Sequence, residues 1–295
     1  MTVTDRLKML ARLGYRSRAF LRHVYQKLAA LTFGRLFVSR WGLRFRAAVA
    51  GARPPLPEPQ LRVAIVAHAY YPDLIPEILA CRDALPGTAP VHFTIPPERV
   101  AAAQTMLQGV DEISLHVCEN RGRDIWPFLQ LLGSGALDGY DAVLKLHTKR
   151  SPHLLDGDIR RRLLFAMLCG ERRSTSRALS SFLDPRTGMV GWDASRRSAT
   201  PYWMANRERV HAVARRMGGG ATVPPLGFFE GSMFWFRPSA FAALRELRFS
   251  AEDFEAESGQ VDGTLHHALE RCFTVAAWLR GFAVRDLKGR LLEGL

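Results

Sequence analysis

Long apolar runs are missing from this chain. No stretch reaches the roughly 18 uninterrupted apolar residues that a membrane-spanning helix needs, so the sequence predicts none. Cysteine is scarce and scattered: Cys81, Cys118, Cys169 and Cys272 form no C-x-x-C and no His/Cys metal spacing. That argues against a disulfide framework and favours reduced thiols and a cytoplasmic protein. The opening MTVTDRLKMLARLGYR has basic residues throughout and no apolar core before a small-residue cleavage site, so it does not read as a secretory signal. Several catalytic signatures are absent too, namely G-x-S-x-G, G-x-x-x-x-G-K-[ST] and G-x-G-x-x-G; the MGGGA run is a lone glycine stretch. His266 and His267 are adjacent on a predicted helix, which points them to different faces and argues against a shared metal.

Acid is scarce at the start. Residues 1–62 hold 13 Lys/Arg against Asp5 and Glu58, which is +11 of the chain's net +13, while residues 63–295 hold 28 Lys/Arg and 26 Asp/Glu. The body is nearly neutral and the arm is basic. What is present otherwise is ordinary for a soluble globular protein: 47% apolar and 23% charged residues over 295 positions, enough for one large core or one domain with an extra arm.

In the arm, Leu10, Leu13, Phe20, Leu21, Val24, Leu28 and Leu31 recur at three- and four-residue steps, with Lys8, Arg12 and Arg16 on another face. Such a helix fits an anionic membrane surface, at about 1 kcal/mol per basic residue near the headgroups, or packs on the body with a solvated basic face. No nucleic-acid motif accompanies the charge, so nucleic acid is not an expected partner. The run RPPLPEPQ (Arg53–Gln60) reads as a stiff linker, which divides the chain into an arm over 1–60 and a domain over 61–295.

Beyond the linker, strands alternate with helices: LRVAIVAHAY, then PDLIPEILACRDAL; VHFTI, then PPERVAAAQTML; EISLHVCE, then IWPFLQLLGSG; and DAVLKLHTK. This pattern predicts an α/β fold with a parallel sheet covered on both faces. Ligands of such sheets bind beyond the carboxyl ends of the strands, where the clusters HAYYPD, ENRGRD and LHTKRS fall. The second half is less regular, with a helix around RRRLLFAMLCG, a strand at GMVGWD, a strand entering a helix at GSMFWFRPSAFAAL and a strong helix from about Gly263.

Five ordered blocks, VAIVAHAYYPDLIPEIL, ENRGRDIWPFL, YDAVLKLHTKRS, FFEGSMFWFR and GQVDGTLHHALER, together resemble the rhamnan synthesis protein F family over roughly residues 61–280. The resemblance implies a glycosyltransferase of bacterial surface-polysaccharide assembly. It would move L-rhamnose from a nucleotide sugar, dTDP-rhamnose, to a lipid-linked glycan as a peripheral protein at the inner face of the cytoplasmic membrane. The order of elements also looks like GT-A, a Rossmann-like glycosyltransferase fold in which a central strand ends in a metal-binding D-x-D; this is an analogy of fold. Here YDAVLKLHTK occupies that place and offers Lys145, His147, Thr148 and Lys149 with no acid. A divalent ion on a diphosphate wants carboxylate oxygens, so the expectation is that cations neutralise the leaving diphosphate and that no metal or other cofactor is required.

Further roles follow from residue chemistry. Arg121 and Arg123, either side of Gly122 and preceded by Asn120, supply planar donors suited to phosphate oxygens. Asp124 either braces an arginine or, as the first reading, caps the helix that follows. Tyr70 and Tyr71 can stack on a base, with His68 and Asp73 beside them; alternatively Pro72 and Asp73 only start the next helix. Inversion needs a carboxylate to take the acceptor proton. Asp262 in GQVDGT is the first candidate and Glu230 in FFEGS the second, against a capping role for Asp262. Trp192, Asp193, Gly231, Ser232 and Gln260 are candidate acceptor contacts, with core packing as the rival for any tryptophan. Two rivals to this reading of the whole stay open: the same fold with another nucleotide sugar, and a non-catalytic carbohydrate-binding scaffold.

Overall fold

The structure is a computed structural model that describes residues 35–39, 42, 59–150 and 157–292. The basic arm and the Pro-rich linker lie outside the described residues, save for a helical turn at Arg35–Phe37 and the last two linker positions.

VAIVAH forms β1 (Val63–His68), and all six of its residues are buried. A run with no polar alternation has no face to give to water, so it ends up covered on both sides. Then follow α1 (Ile75–Arg82), β2 (Val91–Ile95), α2 (Val100–Met106), β3 (Ile113–Val117), α3 (Ile125–Gly133) and β4 (Ala142–His147). These are the alternating elements expected from the sequence. β3, whose apolar residues alternate with polar ones, is an edge strand and only half-buried. The second half contains α4 (Gly157–Cys169), α5 (Arg172–Ser180), β5 (Thr187–Gly191), β6 (Arg196–Arg197), α6 (Arg207–Arg216) and β7 (Phe228–Phe229). It closes with β8 (Phe234–Phe236), α7 (Ala242–Glu246), α8 (Leu265–Leu279), β9 (Ala283–Asp286) and β10 (Leu291–Leu292).

Eight strands form one sheet in the order β10-β9-β5-β8-β4-β1-β2-β3, and β6 pairs with β7 separately. β1 to β5 and β9 share one direction; β8 and β10 run against it. The fold is therefore α/β with a mostly parallel sheet. Reversed β8 is inserted between β4 and β5, so its amino end lies at the same edge as the carboxyl ends of its neighbours.

The pleat sends alternate residues to two cores. Val66, Val143, Phe234 and Phe236 pack with α3, α6, α7 and α8, while Ile65, Leu144, Leu146 and Trp235 pack with α1, α4 and α5. Lys145 and His147 are in step with Val143, so they point to the first side. Lys145 Nζ lies 5.2 to 5.9 Å from the ring centroids of Phe128, Phe234 and Phe273.

Candidate functional site

The polar residues at the strand ends converge on one turn. Glu230, Gly231 and Ser232 link β7 to β8, with φ +89° at Gly231 and +53° at Ser232. A left-handed serine is uncommon and needs support from its surroundings. Gly231 N–H donates to Glu270 Oε1 at 2.9 Å, and Gly231 O accepts from His147 Nε2 at 2.6 Å. Lys145 Nζ donates to both Ser232 O and Ser232 Oγ at 3.0 Å. The Glu230 carboxylate lies between Arg197 and Arg160, the latter at 3.1 Å. The topology explains this meeting. β8 must start where β4 ends, so the two polar side chains on the inward face of β4 meet the backbone of the turn that feeds β8.

The third donor of Lys145 goes to Asp124 Oδ2 at 2.7 Å. All three ammonium hydrogens are thus engaged. Asp124 occupies the N-cap position of α3, yet its side chain makes no capping hydrogen bond; it turns inward to Lys145 instead. The preferred capping role is thereby corrected, for a buried ammonium has a stronger claim on a carboxylate than a peptide N–H at a wetter helix end.

Burial would raise the Asp124 carboxyl, but the neighbouring His147 and the Lys145 ammonium, with its hydrogen bond, hold it well below the usual range. The imidazoles behave the other way. Burial pushes His68 and His147 down to about 4, against the pull of Asp124, so both are neutral at pH 7 and Lys145 is the working counter-ion. His147 must then carry its proton on Nε2 to serve Gly231 O. His68 Nδ1 lies 3.0 Å from Thr94 Oγ1. Glu230 is held below its ordinary value, since Arg197 and Arg160 outweigh burial. Glu270 is raised, because burial outweighs Arg271 and Lys149. Lys149 is exposed at the end of β4, and its ammonium makes no ion pair with a described residue. Among the described residues no three of His, Cys, Asp and Glu gather as metal ligands.

The sequence profile of the family described as rhamnan synthesis protein F matches residues 50–282, which takes in every strand and turn of this site. The chain belongs to the rhamnan synthesis protein F family. It is also similar to the uncharacterized protein WxcX of two strains of Xanthomonas campestris pv. campestris, at 31% identity over 229 residues in each. That similarity covers 77% of this chain but 33% of each relative, so the chain spans about a third of the length of the curated relatives it matches.

The stretch ENRGRD, within the matched region, has a clear local purpose. Gly122 has φ +60°, and a Cβ there would stand 2.6 Å from Phe254 Cδ1 and 2.7 Å from Trp126 Cβ. Only glycine lets Phe254 pack this closely. Arg121 donates to Phe254 O at 3.1 Å. Arg123, itself left-handed at φ +55°, makes a two-pronged contact with Glu257 at 2.9 and 3.1 Å and donates to Gln260 O at 2.6 Å. The donors expected to meet phosphate are thus turned onto the 254–260 loop, and Asn120 reaches Glu98 at 3.3 Å. This corrects the expected placement: the loop's acid and carbonyls lie within reach of the guanidinium groups and take their donors.

Around the first strand end, Thr148 Oγ1 donates to His68 O at 3.2 Å and accepts from Tyr71 N–H at 2.9 Å. Asp73 pairs with Arg150, whose guanidinium lies 5.1 Å over the Tyr71 ring, and Arg99 lies 5.4 Å over Tyr70. One face of each tyrosine ring therefore carries an arginine. Asp262 accepts from Ala205 N–H at 2.8 Å and Asn206 Nδ2 at 2.5 Å, tying the entrance of α8 to the start of α6. It does not cap α8; Leu265 N–H donates to Glu255 Oε2 at 2.9 Å. Gln260 folds back on its own loop, with Nε2 donating to Ala256 O at 2.7 Å. Trp192 packs on the α1/α4 side, and Asp193 pairs outward with Arg290 at 3.1 Å. His266 and His267 do not diverge as expected. Their ring centroids are 4.2 Å apart and both lie within hydrogen-bond distance of Thr264 Oγ1, because the first turn of the helix brings both rings back towards Thr264. Burial pushes them down to about 4 and about 3.

Glu270, Arg160 and Arg197 in the cluster were not picked out from the sequence. Glu270 sits mid-helix in the LHHALER block, where a glutamate is usually a solvated face, and Arg197 lies in a run of basic residues with no motif. The i, i+4 spacing of His266 and Glu270 was the available signal, since it stacks two polar groups on one face of a largely buried helix.

Proposed function

We propose that the chain is the catalytic domain of a glycosyltransferase in rhamnan-type polysaccharide synthesis. It would transfer L-rhamnose from dTDP-rhamnose, with inversion, to a lipid-linked glycan, and its basic arm would hold it against an anionic membrane. Family membership supports the polysaccharide setting. The observation that carries the enzymatic reading is the gathering, at the carboxyl edge of a mostly parallel sheet, of Glu230 and Glu270 within the influence of the Lys149 charge, whose ammonium makes no ion pair with a described residue. In the GT-A analogy that edge holds the donor. The end of β4 offers Lys149, Thr148 and His147, and of the acids around it Asp124 is paired with Lys145 and Glu230 with Arg160 and Arg197. Such a donor set suits a diphosphate directly and suits a divalent ion poorly. The first base and sugar contacts would come from the Tyr70–Asp73 segment and His68, and the acceptor would approach over the Gly231–Ser232 turn.

Calorimetry of dTDP, UDP and GDP, each with EDTA and with Mn²⁺, tests this. The expected result is dTDP binding that is indifferent to the metal and weakens about 10- to 100-fold in Lys149→Ala, as loss of a charge-assisted contact would give. Preference for another nucleotide would change the sugar, metal-dependent binding would overturn the cationic site, and no nucleotide binding at all would favour a non-catalytic scaffold.

A further inference from the structure

An inverting transferase must remove one proton from the acceptor, and besides Asp124 the described carboxylates to weigh are Asp262, Glu230 and Glu270. Asp262 uses both oxygens on Ala205 and Asn206, with Arg271 at 4.0 Å. Glu230 is clamped by two arginines, which lowers its proton affinity. Glu270 differs from both. Its Oε1 takes one peptide hydrogen, from Gly231, and its Oε2 accepts no hydrogen bond from a described residue; the nearest cation, Arg271 Nη1, is 3.9 Å away. That guanidinium is itself turned elsewhere, with Nη1 donating to His267 O at 2.6 Å and Nε and Nη2 donating to Tyr202 O at 3.0 Å. Glu270 is thus fixed at one oxygen and open at the other, and its side chain keeps 20% of its exposure.

Resting on the glycosyltransferase reading above, we infer that Glu270 is the catalytic base: Oε1 is anchored by Gly231 N–H, and Oε2 takes the proton of the acceptor hydroxyl. The hydroxyl oxygen bonds to the anomeric carbon as that carbon's bond to the diphosphate oxygen breaks. The bonding pair leaves with the nucleoside diphosphate, and the hydroxyl proton passes to Oε2. The groups that set its proton affinity are Arg271 on its own helix, Lys149 after β4, Asp124 at the start of α3 and the Gly231 N–H, with Glu230 and His147 also at that turn. Burial and the Asp124 charge raise it, the two cations and the Gly231 hydrogen bond lower it, and burial dominates, which is the direction a general base needs. Gly231 links this base to the rest of the polar cluster, because one peptide unit away its carbonyl holds His147.

The test is transfer from dTDP-rhamnose to an octyl rhamnoside, with dTDP affinity and melting temperature measured on the same samples. Glu270→Gln keeps an oxygen for Gly231 N–H and removes the base. It should retain dTDP binding and melting while kcat falls about 10²- to 10⁴-fold, and Glu270→Asp should recover part of that rate. Full turnover in Glu270→Gln, with turnover lost in Asp262→Asn or Glu230→Gln, would overturn this assignment and leave the transferase standing. A parent protein that binds dTDP but transfers nothing would take down both. If Glu270→Gln fails to fold, the parent's kcat/KM profile decides: an acid limb above the ordinary glutamate value of about 4.3 supports the assignment, and one at or below it overturns it.

Discussion

Lys145→Met removes the ammonium at the centre of the buried polar cluster while keeping most of its volume. The Lys145 side chain is 2% exposed, and its contact with Asp124 is 2.7 Å long. At an effective dielectric of about 20 the attraction is about 6 kcal/mol before the loss of hydration on both ions is counted, and that loss cancels much of it. The variant does not merely give up the remainder. Asp124 is left with neutral His147 at 3.9 Å and the more distant Lys149 charge, and Ser232 O and Oγ lose their donor. Breaking a buried pair from one side costs about 3–5 kcal/mol. Urea denaturation at pH 7 should therefore show a loss of that size in Lys145→Met, and a similar one in Asp124→Leu. The double variant should lose markedly less than the two together, with a coupling of about 2 kcal/mol or more. The pH dependence has a definite sign. The folded carboxyl of Asp124 lies below its unfolded value, so its stabilising contribution is complete above the unfolded value and is lost as pH falls through the folded one. The penalty of Lys145→Met should accordingly shrink on acidification, because the unpaired carboxyl takes up a proton. A cost under about 1 kcal/mol at pH 7, or strict additivity, would refute the account of Lys145 as a structural ion rather than a phosphate ligand.

Gly122→Ala combines a positive φ with clashes against Phe254 and Trp126, and should cost about 2–4 kcal/mol, seen as a lowered denaturation midpoint. Arg123→Ala breaks a half-exposed pair, so stability should change by under about 1 kcal/mol, while hydrogen exchange across residues 255–263 should speed up. Equal protection in that loop would remove the anchoring role. His68, His147, His266 and His267 have folded values below the ordinary 6.5, so stability should fall as pH drops from about 6.5 towards 4, where the unfolded chain binds protons first. Imidazole NMR should find His68 and His147 neutral at pH 5.5; ordinary titration near 6.5 would contradict their burial.

Most of the sheet's first half was legible because period and burial agree there. β1 has no polar face, VHFTI and DAVLKLHTK each occupy a strand, and the helices between them have room to cross over. Less of the second half could be read. α5, α6, β9 and β10 are short or rich in charge, and their stability comes from packing that local pattern does not record. The cluster of polar strand ends could be placed at one edge from the order of elements alone, and so could the absence of an acid at the end of β4.

By itself, the sequence determined that this is an α/β domain with a polar carboxyl edge, a cation-rich central strand end and the blocks of its family. Those features depend on local spacing and residue chemistry. Only the tertiary structure decided who pairs with whom across that edge. The reversed β8 brings Gly231 and Ser232, more than eighty residues along the chain, onto Lys145 and His147. It draws Glu270 to the same turn and leaves Arg123 facing Glu257, 134 positions away. An ionisable side chain takes the partner that its burial and neighbours allow, and those neighbours are set by strand order, which no local stretch encodes.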